Sequence, residues 1–221
     1  MTMQKLIVLV AHDAGGAEVI SSWARRNPNY NYISYVDGPA LGIFKRKIPN
    51  VKNVPLNEAL KCDWVLSASG WQTNFEIKTI SFFKQKEKKI IVFLDHWVNY
   101  KARFILNKKL ILPDKLWVGD KYAFKIAKNN FSDIEIEQLN NPYFLDIKDT
   151  IRNFKLKKKL PSNEVKILYV TEPIADHALK KRDSNFWGYT EFTALDYFIK
   201  NILKITGDNK KISLRLHPAE K

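Results

Sequence analysis

Short apolar runs without polar alternation recur along this chain and decide its fold class. Leu6–Ala11 and Ile90–Leu94 are the clearest, and each leads into a polar loop; a helical pattern at residues 17–26 follows the first. A strand that is apolar on both sides must be covered on both sides, which is typical of parallel sheets. Strands of this kind alternating with helices predict an α/β protein with a Rossmann-like, doubly wound and mostly parallel sheet.

The alternation of apolar strands with helices is interrupted once along the chain, which predicts two domains. Residues 1–145 carry the first set of strands and helices, whereas residues 146–163 are rich in charge and predict a linker. In residues 164–221, a strand, a helix at 189–204 and another strand form a single β-α-β unit, the start of a second Rossmann-like unit. A unit this small is near the limit for an independent core, so we expect the chain to be the front part of a longer two-domain protein. The alternative is that this unit adds strands to the first domain.

The charge balance indicates anionic partners. The chain has 37 Lys+Arg against 23 Asp+Glu, a formal net charge of +14. Such a charge concentrates nucleic acid, acidic lipid or phosphate-bearing small molecules near the surface. A compositional bias of the source explains the charge equally well, because the lysines are scattered. The aromatic residues lie in apolar runs instead of a basic stripe, so we expect no nucleic-acid binding.

The composition also excludes several kinds of site. Cys62 is the single cysteine, which excludes an internal disulfide and a Cys-rich zinc site. No apolar run approaches the ~20 residues of a membrane span. No small-residue cleavage site follows the N-terminus, so we expect no signal peptide and a cytoplasmic protein.

The first candidate loop follows the first strand, at the edge of the sheet where open α/β folds bind ligands. It contains His12 and Asp13, followed by Gly15 and Gly16. Paired glycines let the backbone come close to a ligand and leave N–H groups at a helix start that suit an anion or a sugar hydroxyl. Asp13 is a candidate general base, and the alternative is that it caps the following helix.

Two further loops follow later strands. Ser69 and Gly70 lie in a loop of small residues that leaves room for a ligand. The third loop begins with Asp95, His96 and Trp97, continues to Asn99 and has Arg103 nearby. Asp and His are the usual proton-transfer pair, and aromatic faces stack on sugars or bases. The alternative is that Asp95 and His96 satisfy backbone groups of the loop while Trp97 lies in the core.

The second unit ends in a His-Pro pair. His217 and Pro218 follow the last strand, and Arg215 stands two residues before His217. A histidine there can donate a proton to a phosphate oxygen as a leaving group departs. No second His or Cys stands at ligand spacing, so we expect no metal. His177 is predicted to lie in a loop with Lys180 and Lys181, facing either a phosphate or solvent.

The order of these motifs resembles GT-B glycosyltransferases, in particular bacterial surface-polysaccharide and polysialyltransferase-like enzymes with a strand-ending His-Pro motif. VKILYVTEP at 165–173, GYTEF at 188–192 and LRLHPAE at 214–220 carry the resemblance. It implies that residues 1–145 form the acceptor-side domain and residues 164–221 an incomplete nucleotide-sugar-binding domain. It also implies that His217 assists the donor phosphate and that Pro218 shapes its loop. Arg215 is predicted from its place on the strand to add charge on the same face, and Thr171 and Glu172 are further candidates for donor-phosphate binding. That family continues past the His-Pro motif, so we expect the loops for the base and ribose to be missing.

The resulting hypothesis is a glycosyltransferase, or a fragment of one, that needs no metal and no cofactor besides its nucleotide-sugar substrate. The acceptor would be a surface glycan or a lipid-linked sugar, deprotonated by Asp13 or by the Asp95–His96 pair. The acceptor contacts would be His12, Gly15, Gly16, Ser69, Gly70, Trp97 and Asn99. We also expect peripheral contact with the anionic inner face of a membrane, and self-association through an exposed sheet edge. Two alternatives stay open: a nucleotide-sugar epimerase or hydrolase of the same architecture, and a non-catalytic remnant that binds a sugar or a partner.

Overall fold

A computed structural model describes residues 4–70, 73–154, 164–180, 186–205, 207 and 209–217. The chain divides into two compact units, Met1–Lys155 (unit 1) and Leu156–Lys221 (unit 2).

Unit 1 alternates strands with helices from its first strand onward. Its strands are β1 Leu6–Ala11, β2 Asn31–Val36, β3 Lys52–Asn53, β4 Trp64–Ser67, β5 Lys89–Leu94, β6 Ile105–Leu106, β7 Lys109–Leu110, β8 Lys115–Val118 and β9 Glu135–Gln138. Its α-helices are α1 Ala14–Arg26, α2 Pro39–Lys47, α3 Leu56–Ala59, α4 Phe75–Gln85, α5 Lys121–Asn130 and α6 Pro142–Asn153, and a short 3-10 helix spans Lys101–Phe104.

Seven of these strands form one parallel sheet in the order β3-β2-β1-β4-β5-β8-β9, and β6 and β7 form a small antiparallel hairpin. The chain moves outward from β1 to β3 on one side and then restarts at β4 on the other. The change of direction lies between β1 and β4, where doubly wound sheets open a crevice at the carboxyl ends of the strands. The predicted Rossmann-like, mostly parallel α/β fold is confirmed.

Both faces of this sheet carry a hydrophobic core, which explains the missing polar alternation. Successive strand residues point to opposite faces. Ile7 and Leu9 pack with Ile20 of α1 on one face, whereas Val8 and Val10 pack with α4 and α5 on the other. The central strands β1, β4 and β5 have no solvent side, so their positions are apolar apart from the buried Ser67 that ends β4 and the exposed Lys89 that begins β5.

Helix α6 extends past the predicted domain boundary at residue 145. Asp146 is buried, and its carboxylate pairs with Arg25 at 2.7 Å, Arg26 at 2.8 Å and Lys47 at 3.2 Å. These ion pairs fix α6 to α1 and α2, so residues 146–153 of the predicted linker are helical and belong to unit 1. The charges that favour a linker in the sequence are used in tertiary contacts. Residues 155–163 lie outside the described part of the chain.

Unit 2 contains the strands β10 Glu164–Val170 and β11 Asn209–Arg215, which pair in parallel, and the helices α7 Ile174–Leu179 and α8 Glu191–Asn201. The helix predicted at 189–204 begins later because Thr190 is its N-cap, in a reciprocal capping box with Thr193. His177 lies in α7, so its predicted place in a loop is wrong. In the described segments, no helix has both the length and the apolarity to cross a bilayer.

Candidate active site

Asp95 directly follows β5 and is a buried carboxylate at the carboxyl edge of the sheet. Its side chain is 6% exposed, and Oδ1 accepts a hydrogen bond from Ser69 Oγ at 3.1 Å. His96 Nε2 lies 3.6 Å from Oδ2, and Arg103 Nη1 lies 3.9 Å from Oδ1. Burial raises the pKa of Asp95, while the charges of His96 and Arg103 act in the opposite direction. A carboxyl group with a raised pKa is suited to accept and return a proton near neutral pH.

Arg103 joins the loops after β4 and β5. Its guanidinium is buried, with Nη1 donating to the backbone carbonyl of Ser69 and Nε donating to that of Val98 at 3.4 Å. The 3-10 helix that carries Arg103 starts after Asn99, whose φ of 59° lies in the left-handed region that asparagine tolerates. The Asn99 carbonyl accepts from the N–H of Arg103, and its side chain is exposed. Arg103 therefore holds Ser69 in place beside Asp95.

The first turn of α1 packs directly against Asp95. A Cβ atom at Gly15 would lie 2.7 Å from Asp95 Oδ2, and one at Gly16 would lie 2.4 Å from the Cβ of Ala68. Only glycine allows the helix to come this close. The N-terminus of a helix carries a partial positive charge, so α1 favours negative charge on Asp95. The structure thus brings the predicted residues Gly15, Gly16 and Asp95 together.

His12 and Asp13 form a second acid–imidazole pair at the end of β1. His12 Nδ1 lies 3.1 Å from Asp13 Oδ1, and the two side chains are 20% and 21% exposed. Asp13 stands at the N-cap position of α1, but none of the contacts in the described segments is a capping hydrogen bond to its carboxylate. Gly38, with a φ of 54°, leaves room for the His12 ring.

Glu76 is a buried acid in the first turn of α4 that the sequence analysis missed. Its Oε1 accepts from the backbone N–H of His12 at 2.7 Å and of Asp13 at 3.3 Å. Oε2 is buried and has no hydrogen-bond partner within the described ranges, and a Cβ at Gly70 would lie 2.1 Å from it. Burial raises the pKa of Glu76, and the hydrogen bond from His12 acts against this. Glu76 therefore binds the loop after β1 through hydrogen bonds and packs closely against Gly70 in the loop after β4.

Trp97 is half-exposed, which excludes the alternative that it lies in the core. Its indole Nε1 donates to Asp120 Oδ2 at 2.9 Å. A small pocket with a cavity volume of about 10 Å³, room for about one water molecule, lies beside it and opens to solvent; Asp95, His96, Trp97, Asn141 and Phe144 form part of its lining. Asp120 and Asn141 follow the neighbouring strands β8 and β9, and neither was predicted from the sequence. The pocket therefore joins the proton-transfer candidates Asp95 and His96 to an aromatic wall.

In unit 2, four predicted donor residues lie together at the carboxyl ends of β10 and β11. The N–H of His217 donates to Thr171 Oγ1 at 3.2 Å, and His217 Nε2 lies 3.9 Å from Glu172 Oε2. Thr171 is buried, and its N–H donates to the carbonyl of Arg215 at 3.1 Å. Pro218 lies outside the described residues. Within the described ranges, no group of three or more His, Cys, Asp or Glu side chains could hold a metal ion.

Comparison with known proteins supports the fold. No protein-family profile and no curated protein matches the sequence. Among solved structures, S. aureus MnaA in its UDP co-structure has a TM-score of 0.60 and 12% identity, over 98% of this chain and 63% of that chain. The UDP-N-acetylglucosamine 2-epimerase from Rickettsia bellii has a TM-score of 0.52 and 13% identity, over 98% of this chain and 62% of that chain.

The chain spans less than two thirds of the length of each of these two proteins. At identities this low, the likeness shows the fold alone. The architecture is that of a Rossmann-like GT-B-type protein, with the seven-stranded parallel sheet in unit 1.

Proposed function

We propose that this chain acts on a UDP-activated sugar and that Asp95 transfers a proton in the reaction. The observation that carries the proposal is the setting of Asp95: a buried carboxyl beside Ser69, His96 and Arg103, at the sheet edge where this fold binds ligands. The UDP in the MnaA co-structure supports uridine diphosphate as the carrier. Two reactions fit this site.

The first reaction is transfer of the sugar to an acceptor. Asp95 removes the proton of the acceptor hydroxyl, that oxygen bonds to the anomeric carbon, and the bond to UDP breaks. Asp13 beside His12 is the second candidate base. In unit 2, His217 and Arg215 would meet the departing phosphate, His217 by donating a proton and Arg215 by its charge. The resemblance of the His-Pro motif to that of GT-B glycosyltransferases favours this reaction.

The second reaction is epimerisation at C2 of the sugar, which the epimerase from Rickettsia bellii favours. Inversion at that carbon requires that its C–H bond break and form again on the opposite face. Asp95 would then be one of the groups that move this proton, and no acceptor would be needed.

The test incubates the 221-residue chain with a panel of UDP-sugars in D₂O, with and without a glycan acceptor. Deuterium at C2 in the absence of an acceptor identifies epimerisation. UDP release that requires an acceptor identifies transfer. UDP release with no acceptor and no deuterium at C2 identifies hydrolysis. In Asp95→Asn the amide keeps the shape but cannot accept a proton, so we expect turnover to fall by about 100-fold or more. The matched control is Asp133→Asn, because Asp133 is an exposed carboxylate just before β9, at the amino ends of the strands and away from the site. This variant should keep full turnover.

UDP binding is measured separately by calorimetry. Full turnover in Asp95→Asn would refute the role of Asp95. Absence of both turnover and UDP binding would refute the enzyme proposal and favour a binding remnant.

A further inference from the structure

The pocket beside Asp95 has an aromatic wall that includes Trp97. The orientation of Trp97 is fixed by Asp120, which lies in a different loop. Trp97 is 47% exposed and Phe144 is 53% exposed, and both line the pocket. Large apolar side chains at this exposure leave ring surface free for a ligand. The polar residues around them are Asp95, His96, Asp120 and Asn141.

Asp120 uses its two carboxylate oxygens for two different tasks. Oδ1 accepts from the N–H groups of Tyr122 at 2.7 Å and Ala123 at 2.8 Å, which caps α5. Oδ2 accepts from the indole Nε1 of Trp97 at 2.9 Å. The helix cap makes the position of Asp120 rigid, so the hydrogen bond transfers that rigidity to the exposed indole ring.

A tethered indole is a preorganised binding surface. An exposed tryptophan without a tether would lose side-chain freedom when it binds a ligand, and the tether removes part of that cost in advance. The tether uses the N–H edge of the ring and leaves its apolar faces for contact. An apolar ring with carboxylate and amide groups around it matches a sugar ring, which has apolar C–H faces and a rim of hydroxyl groups.

We propose that Trp97 is the stacking platform for a sugar ring of the acceptor and that Asp120 is the residue that positions it. The acceptor is therefore a glycan, bound so that one of its hydroxyl groups reaches Asp95. This inference rests on the proposed function for its acceptor role, and its test measures sugar binding apart from UDP binding.

Asp120→Asn separates the two tasks of Asp120. Asparagine caps helices as well as aspartate does, so α5 stays capped and the midpoint of thermal unfolding stays within about 2 °C. With its oxygen at the cap, the amide turns an N–H group toward the indole N–H, and the tether is lost. The ¹⁵N–¹H signal of the Trp97 indole, assigned by its absence in Trp97→Phe, should move in Asp120→Asn while the other indole signals stay.

Binding is measured by saturation-transfer NMR with methyl β-glucoside, methyl β-galactoside and methyl β-N-acetylglucosaminide, each up to about 10 mM. We expect at least one to bind, Trp97→Ala to weaken that binding roughly tenfold or more, and Asp120→Asn to weaken it severalfold. Trp187→Phe, which alters an exposed tryptophan of unit 2, is the matched control and leaves glycoside binding unchanged. UDP affinity, measured by calorimetry, should be the same in all four proteins.

The outcomes are distinct. Glycoside binding that is absent, or equal in Trp97→Ala, overturns the inference even where UDP binds. Displacement of the glycoside by uridine also overturns it, because the pocket would then hold the nucleoside. Glycoside binding that depends on Trp97, together with no UDP binding, supports the sugar subsite and refutes the proposed use of UDP-sugars.

Discussion

Replacement of Gly15 by alanine tests the contact between α1 and Asp95. The added Cβ would lie 2.7 Å from Asp95 Oδ2, whereas ordinary van der Waals contact begins at 3.4 Å. The carboxylate or the helix must therefore move by about 0.7 Å, and crowding of this kind costs about 1–3 kcal/mol. Alanine in a helix gains about 0.5–1 kcal/mol over glycine, which offsets part of that cost. We expect a net loss of about 0–2.5 kcal/mol in the free energy of unfolding.

Gly42→Ala is the matched control, because Gly42 lies in α2 and no atom outside its chain neighbours and its own helix backbone lies within 4 Å of its missing Cβ. This variant should be more stable by about 0.5–1 kcal/mol. Urea unfolding followed by tryptophan fluorescence measures both. In an Asp95→Ala background the carboxylate that the new Cβ would crowd is absent, so Gly15→Ala should become neutral or stabilising. The coupling energy between the two substitutions should be about 1–3 kcal/mol. The contact is refuted if Gly15→Ala and Gly42→Ala are equally stable in the wild-type background.

Two buried acids should give opposite pH dependences of stability. Burial raises the folded-state pKa of Glu76 above its ordinary value. The stabilising effect of Glu76 is therefore complete below that ordinary value and is lost as the pH rises through the folded-state pKa. Glu76→Gln should remove this loss of stability in urea titrations from pH 4 to 8, and an unchanged pH profile would contradict the raised pKa. Asp146 is the reverse case, because hydrogen bonds from its basic partners and Ser22 outweigh burial and lower its pKa, so its stabilising effect is present above the ordinary aspartate value and is lost as pH falls. Asp146→Ala should cost about 3 kcal/mol at pH 7 because it leaves the buried Lys47 without that partner, and a calorimetric loss below 1 kcal/mol would argue against the network.

The fold could be predicted because its signals are local. A strand segment buried on both faces is apolar at nearly every position, so the runs Leu6–Ala11 and Ile90–Leu94 are visible without any knowledge of their neighbours. Helix α2 was not predictable in this way. It buries only Ala40 and Phe44, one turn apart, and its last turn is entirely basic, so its sequence differs little from that of a solvated loop.

The loops of the site were predictable for a geometric reason, and the residues that organise them were not. All strands of a parallel sheet end at the same edge, so His12, Ser69 and Asp95 had to lie near one another. Glu76 and Asp120 act through contacts with residues that are 64 and 23 positions away in the sequence. In the sequence each resembles an ordinary acid at the start of a helix, because nothing local records which loop will fold onto it.

The glycines at this edge show how the loops and the side chains fit together. The sequence suggests that Gly15 and Gly70 leave space for a ligand, but the space beside each is filled by a carboxylate, Asp95 beside Gly15 and Glu76 beside Gly70. Each glycine therefore allows a buried acid to lie against the backbone, where burial raises its pKa. At Asp95 the N-terminus of α1 acts in the opposite direction. A side chain at either position would push its acid away. The same small residues that close the packing between loops thus also set the proton affinity of the groups on which the proposed chemistry depends.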